Sequence, residues 1–90
     1  MMLEEHIRVV NKLGLHARAA AKLVKLTAGF ESVITLNLDE KQVDAKSIMG
    51  VMMLAATQGT ALKLVVDGED AESARDAIRD LFTDCFGEGE

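Results

Sequence analysis

Two periodicities of hydrophobic and polar residues alternate along this 90-residue chain. Alternation with period two is typical of half-buried strands and occurs at residues 3–10, 33–38, 42–44 and 61–66. Spacings of three and four, typical of amphipathic helices, occur at residues 16–28, 47–57 and 71–85. The order βαββαβα indicates two split strand–helix–strand units. We therefore predict one α+β domain over residues 1–90, a four-stranded antiparallel sheet with three helices on one face.

The inward positions of these elements predict the core. In the strands they are Leu3, Ile7, Val9, Ile34, Leu36, Leu38, Leu62, Leu64 and Val66. In the first helix they are Ala20, Leu23, Val24 and Thr27, and in the last helix Ala71, Ala74, Ala77, Ile78, Leu81 and Cys85. His6 points outward from its strand, and Asp70 is predicted to cap the last helix. Cys85 is predicted to be an inert core thiol, and residues 87–90 to be a frayed tail.

The middle helix has an unusual composition. Ser47 is a good N-cap, and no charged residue follows it up to Thr57. Val51, Leu54 and Ala55 supply one core face. The remaining large side chains, Ile48, Met49, Met52 and Met53, are too many for a small domain to bury, so part of this surface is expected to be exposed and to dock partners. The alternative is that this helix is simply the most buried one.

Composition narrows the class of protein. No apolar run is long enough to span a membrane, and the first residues lack the features of a signal peptide. The single cysteine excludes an internal disulfide. These features favour a cytoplasmic location and no membrane insertion.

Charge is unevenly distributed. Residues 1–29 hold five Lys/Arg and two Asp/Glu, whereas residues 67–90 hold two and nine. A positive N-terminal segment attracts phosphate or an acidic protein surface. The overall charge of −5 and the absence of Trp and Tyr argue against nucleic acid as a partner.

The candidate chemistry lies at His16, where the first helix begins after Gly14. The free amides at a helix N-terminus form an anion site, and an imidazole there can carry a phosphoryl group whose oxygens Arg18 also contacts. The alternative is a polar residue that only caps the helix. Two histidines and one cysteine give no metal-ligand spacing, and there is no glycine-rich nucleotide loop. We expect no metal and no cofactor, and a carrier that works between larger enzymes rather than a turnover enzyme.

Two motifs together carry a family resemblance. Residues 14–18, Gly-Leu-His-Ala-Arg, followed by residues 46–51, Lys-Ser-Ile-Met-Gly-Val, resemble HPr, the histidine-containing phosphocarrier of the bacterial phosphotransferase system. The resemblance extends over about residues 3–86 and implies an open-faced β-sandwich. It implies that His16 accepts phosphate on Nδ1 from enzyme I and passes it to an enzyme IIA, with Arg18 stabilising the phosphate.

The resemblance also implies regulation and a partner surface. Ser47 matches a serine that an ATP-dependent HPr kinase phosphorylates in many bacteria, which slows transfer through the histidine. The partner surface is expected to comprise Ala17, Ala20, Lys25, Ile48, Met49, Gly50 and Met52. The family usually has proline directly after the arginine, where this chain has Ala19. Alanine is expected to leave the first helical turn freer, with one more exposed amide.

Three alternatives stay open. The carrier could feed sugar uptake or belong to the nitrogen-related branch called NPr, which ends on a regulatory IIA. The Ser47-phosphorylated form could instead act mainly by binding a transcription regulator. An unrelated binding module of split strand–helix–strand units would leave the pairing of His16 with Arg18 unexplained.

Overall fold

A computed structural model describes residues 1–90 as one sheet with helices. The strands are β1 (Met2–Arg8), β2 (Val33–Leu38), β3 (Lys41–Asp44) and β4 (Ala61–Asp67). The helices are α1 (Ala17–Thr27), α2 (Ile48–Met53) and α3 (Ala71–Thr83), and a 3₁₀ turn follows at Cys85–Gly87. The predicted order of elements is confirmed.

The sheet has the strand order β1-β4-β2-β3, with every neighbouring pair antiparallel. β1 begins and ends slightly before its predicted range, at Met2 and Arg8. His6 lies opposite Lys63 and is exposed, as predicted. The four-stranded antiparallel sheet with three helices confirms the predicted fold class.

One hydrophobic core lies between the sheet and the helices. The inward strand residues Ile7, Ile34, Leu36, Leu62, Leu64 and Val66 are buried, and their neighbours along each strand are less so. Helix α1 contributes Ala19, Ala20 and Leu23. Because one face of the sheet remains uncovered, the outward strand residues stay accessible to solvent.

Helix α2 is shorter than its composition predicts. It ends at Met53 rather than near Thr57, since Ala55 has a positive φ of 51° and turns the chain out of the helix. Ala55 is exposed, so its predicted place in the core is wrong, and Ala56 is buried instead. The turn puts the Ala56 carbonyl where it accepts a hydrogen bond from the Leu15 amide, at 2.9 Å.

The end of α3 also differs from prediction. The helix stops at Thr83, and Cys85 and Phe86 both have φ of 54°, so the chain reverses direction. Cys85 is therefore half-buried outside the helix rather than in the apolar stripe. Phe82 and Phe86 fill the core at this end, with ring centroids 4.8 Å apart.

Asp70 occupies the N-cap position of α3, but its side chain makes no capping hydrogen bond. Its carboxylate instead accepts hydrogen bonds from the Glu31 amide at 2.8 Å and the Ser32 amide at 3.0 Å. The Ser32 hydroxyl donates a further hydrogen bond. Asp70 thus ties the start of α3 to the segment that leads into β2.

Candidate functional site

His16 is the N-cap residue of α1, as the sequence predicts. Its backbone is extended, with φ of −75° and ψ of 177°, and its carbonyl accepts the first helical hydrogen bond, from Ala20 at 2.8 Å. Its side chain makes no capping hydrogen bond to the helix. The ring is 27% exposed, so a reacting group can reach it from solvent. The interpretation of His16 as a mere helix cap therefore loses its main support.

The loop before His16 is held by its backbone. Gly14 has a positive φ of 69°, and a Cβ built on it would lie 2.4 Å from the Ala56 carbonyl oxygen. Only glycine allows this approach, which lets the Leu15 amide bond to that same oxygen. Leu15 is itself buried in the core. The residue before His16 is thus fixed by packing and by a hydrogen bond.

The first turn of α1 has free donors. The amides of Ala17, Arg18 and Ala19 donate no hydrogen bond within the chain. Arg18 is exposed and makes no ion pair, so its guanidinium is free to contact an anion. Ala19, however, is 0% exposed, so the expected exposed amide at this position is wrong.

A cleft of about 750 Å³ opens beside His16. Its cationic lining comes from Lys12, Arg18 and Lys22, and its other wall includes Glu88 and Glu90. The Lys22 ammonium donates a hydrogen bond to the Phe86 carbonyl at 2.6 Å. Lys12 and Arg18 make no ion pair, so the cleft retains positive charge available for an anion.

Glu88 is the site residue that the sequence argument missed. Its carboxylate bonds to Nε2 of His16 and also accepts a hydrogen bond from the Asn11 side-chain amide at 3.0 Å. The predicted frayed tail is therefore wrong for this residue, whose side chain is only 11% exposed. The hydrophobic spacing of Phe82 and Phe86 was the one local indication that the chain stays packed beyond Thr83.

Opposing effects act on the pKa of Glu88. Burial is the largest and raises the pKa, but the hydrogen bonds from Asn11 and His16, together with the charges of His16 and Lys22, outweigh it. The pKa of Glu88 therefore lies below its ordinary value, and the side chain is a carboxylate at neutral pH.

Ser47 is the N-cap of α2, as predicted. Its hydroxyl oxygen accepts a hydrogen bond from the Gly50 amide at 3.0 Å, and the residue is half-buried. The preceding Lys46 is held in place, with its ammonium bonded to the Phe30 carbonyl at 2.7 Å. The Ser47 side chain thus lies in a defined position at the edge of the apolar helix.

The apolar surface expected on α2 is present. Ile48 and Met52 are 42% and 40% exposed, and Met49 and Met53 are 71% and 68% exposed. Among the other residues assigned to the partner surface, Ala17 and Lys25 are exposed and Gly50 is half-buried. Ala20 is 0% exposed, so its assignment to this surface is wrong, because a side chain packed under α1 cannot contact a partner.

The structure also bears on metal binding and on membrane insertion. No group of three or more His, Cys, Asp or Glu side chains is arranged to hold a metal ion. None of the helices combines the length and apolarity that crossing a membrane requires.

Known proteins resemble the chain over nearly its whole length. The family model described as "PTS HPr component phosphorylation site" matches residues 3–84. The phosphocarrier protein HPr of Xylella fastidiosa (strain Temecula1) is 53% identical, over 97% of this chain and 98% of that protein. HPr of Cupriavidus necator is 52% identical over 99% of this chain and all of that protein. A crystal structure of HPr from Thermoanaerobacter tengcongensis superimposes with a TM-score of 0.92 at 46% identity, covering 96% of this chain and 97% of that one. The chain therefore belongs to the HPr family of phosphocarriers of the phosphotransferase system.

Proposed function

We propose that His16 is the phosphoryl acceptor, receiving the group on Nδ1 from phospho-enzyme I and passing it to an enzyme IIA. The observation that carries this proposal is the position of an accessible imidazole at the N-terminus of α1, next to the free amides of the exposed residues Ala17 and Arg18. Backbone amides and the positive end of the helix dipole stabilise the oxygens of a phosphate. The chain is accordingly a stoichiometric carrier that alternates between two covalent states.

The contacts of the ring support Nδ1 as the acceptor atom. Nε2 of His16 is engaged by the Glu88 carboxylate, and no partner within the chain occupies Nδ1. A nitrogen with a free lone pair can attack phosphorus, whereas one that carries a hydrogen-bonded proton cannot. Arg18 is close in sequence, lines the same cleft and is unpaired, so we propose that it binds the phosphate oxygens.

We propose that partners dock on the first turn of α1 and on α2, through Ala17, Lys25, Ile48, Met49, Gly50 and Met52. Exposed methionines on a short helix support this proposal, because flexible apolar side chains adapt to several surfaces. The cations around His16 favour partners with acidic surfaces.

We further propose that phosphorylation of Ser47 regulates docking. Ser47 adjoins the exposed residue Ile48, so a phosphate there adds about two negative charges at the edge of the apolar surface. The partner proteins determine whether the carrier serves sugar transport or the NPr-type regulatory branch. They also determine whether a transcription regulator binds the Ser47-phosphorylated form. A cytoplasmic location stays a prediction.

The carrier hypothesis has a direct test. The protein is incubated with phosphoenolpyruvate and a catalytic amount of enzyme I, and added phosphate is measured by mass spectrometry before and after mild acid. We expect one acid-labile phosphate, which disappears in His16→Ala. The matched control is His6→Ala, because His6 is the other histidine and lies exposed on β1. Labelling that persists in His16→Ala, or is lost only in His6→Ala, would contradict the proposal.

A further inference from the structure

The C-terminal residues fold back onto His16 and are anchored at several points. Phe86 is 0% exposed in the core, and its carbonyl accepts a hydrogen bond from the Lys22 ammonium of α1 at 2.6 Å. The amide of Glu88 donates to the Cys85 carbonyl at 2.9 Å. The segment before Glu88 is therefore fixed by packing and by hydrogen bonds, so the position of the Glu88 side chain is set by the fold.

Both oxygens of the Glu88 carboxylate have partners. Oε2 bonds to Nε2 of His16, and Oε1 accepts from the Asn11 side-chain amide at 3.0 Å. Asn11 is 0% exposed, and its amide nitrogen also donates to the Gly14 carbonyl at 2.8 Å. Asn11 thus links the carboxylate to the loop that precedes His16. A carboxylate held on both sides fixes the orientation of the ring as well as contacting it.

We propose that Glu88 is a positioning residue for phosphoryl transfer: its carboxylate accepts the Nε2–H of His16 and thereby presents Nδ1, with a free lone pair, to phosphorus. This inference rests on the proposed function of His16. A carboxylate that holds an imidazole by one nitrogen selects the tautomer in which the other nitrogen is the nucleophile. Glu88 itself touches neither the donor nor the phosphoryl group.

Each electron pair and each proton has a defined destination in the transfer step. The Nδ1 lone pair forms the N–P bond, while the electron pair of the bond between phosphorus and the donor's phosphohistidine nitrogen leaves with the donor. The Nε2 proton stays in its hydrogen bond to Glu88, so the phosphorylated ring becomes a cation that the carboxylate balances. On transfer to an acceptor the N–P bond breaks, its electron pair returns to Nδ1, and the ring is neutral again.

The experiment compares three variants with the wild type. Glu88→Ala removes the carboxylate, and Glu88→Gln retains an oxygen that can accept the Nε2–H but removes the charge. Glu69→Gln is the matched control, because Glu69 is exposed in the turn before α3, makes no hydrogen bond or ion pair, and does not line the cleft beside His16. Thermal unfolding followed by circular dichroism verifies that all three are folded.

Two readouts are needed. The first is the proton NMR resonance of the His16 Nε2–H, which a carboxylate partner shifts downfield and protects from exchange. The second is kcat and KM for phosphate acceptance from enzyme I. A charge-assisted hydrogen bond corresponds to roughly tenfold or more in rate. We therefore expect Glu88→Ala to lose the resonance and about tenfold in kcat with little change in KM, Glu88→Gln to lie between, and Glu69→Gln to match the wild type.

The outcomes separate this inference from the carrier hypothesis. A wild type that accepts no phosphate would overturn both. A wild type that is labelled while Glu88→Ala keeps its full kcat, or becomes faster, would overturn the role of Glu88 alone. Persistence of the downfield resonance in Glu88→Ala would show that the contact is not formed, and would overturn it as well.

Discussion

Gly14 illustrates how a single residue determines the geometry of the loop that precedes His16. Its backbone has a positive φ, and it approaches the Ala56 carbonyl so closely that a Cβ would lie 2.4 Å from the oxygen. Gly59 also has a positive φ, of 93°, but a Cβ there would have no neighbour within 4 Å. Substitutions at these two glycines therefore allow the effect of backbone strain to be distinguished from the effect of a steric clash.

We expect Gly14→Ala to destabilise the protein by about 1–3 kcal/mol more than Gly59→Ala, since both variants incur left-handed strain but only the first forces the backbone of Ala56 to move. Urea denaturation of both variants measures the difference. Because Gly14 lies two residues before His16, we also expect slower phosphate acceptance in Gly14→Ala. Equal losses of unfolding free energy in the two variants would show that the close approach is unimportant.

Some residues of the candidate site could be predicted from the sequence, and others could not. His16 and Ser47 were placed correctly at helix N-termini, since capping depends on neighbours within a few residues. Glu88 lies 72 positions from His16, and no local pattern connects an acidic residue near the chain end with a ring near its start. Such a contact depends on the whole fold.

Among the elements, the strands and α1 could be predicted because the spacing of their hydrophobic residues matches the period of the structure that they form. The ends of α2 and α3 were not, because Ala55, Cys85 and Phe86 adopt positive φ without being glycine. Intrinsic propensity favours continuing a helix through alanine. Tertiary contacts reverse that preference here: the Ala56 carbonyl bonds to Leu15, and Phe86 fills the core.

The junction between β2 and α3 yields a prediction about pH. The hydrogen bond from the Ser32 hydroxyl is the largest cause that holds the pKa of Asp70 below its ordinary value, and the Glu31 amide adds to it. A carboxyl whose pKa is lowered by folding contributes stability above its unfolded pKa, roughly 4, and loses it as the pH falls through the folded value. Asp70 therefore stabilises the fold at neutral pH and does so less in acid.

We expect Asp70→Asn to be less stable than the wild type at pH 7, with the difference shrinking as the pH falls below about 4. The control is Asp80→Asn, which removes the same charge from the same helix at a side chain without a hydrogen bond. Urea denaturation at several pH values measures both. A difference between Asp70→Asn and the wild type that does not change with pH would contradict the role assigned to the carboxylate.

Over the molecule as a whole, the cationic surface and the exposed apolar surface lie on different elements. Three cations, Lys12, Arg18 and Lys22, line the cleft beside His16, with Glu88 and Glu90 on its other wall. Exposed methionines lie on α2, and the other acidic residues after Val66 do not line this cleft. This distribution favours approach of an acidic partner to the face that holds His16, because charge complementarity steers the encounter and apolar contact stabilises the complex. The position of an added negative charge should then matter more than its effect on net charge.

Two serines permit that comparison at equal net charge. Ser47 adjoins the exposed methionines of α2, whereas Ser73 is exposed on α3, a helix that packs on β1 and β4. Aspartate retains N-capping ability at position 47, so the α2 terminus should persist in Ser47→Asp. We expect Ser47→Asp to weaken binding of enzyme I about threefold to tenfold in low salt and Ser73→Asp to leave it nearly unchanged, since only position 47 adjoins the proposed docking surface. Isothermal titration calorimetry at two salt concentrations measures this, and screening should reduce the effect in the higher one. Equal affinities for the two variants would mean that Ser47 lies outside the docking surface, and the proposed regulation would then have no electrostatic basis.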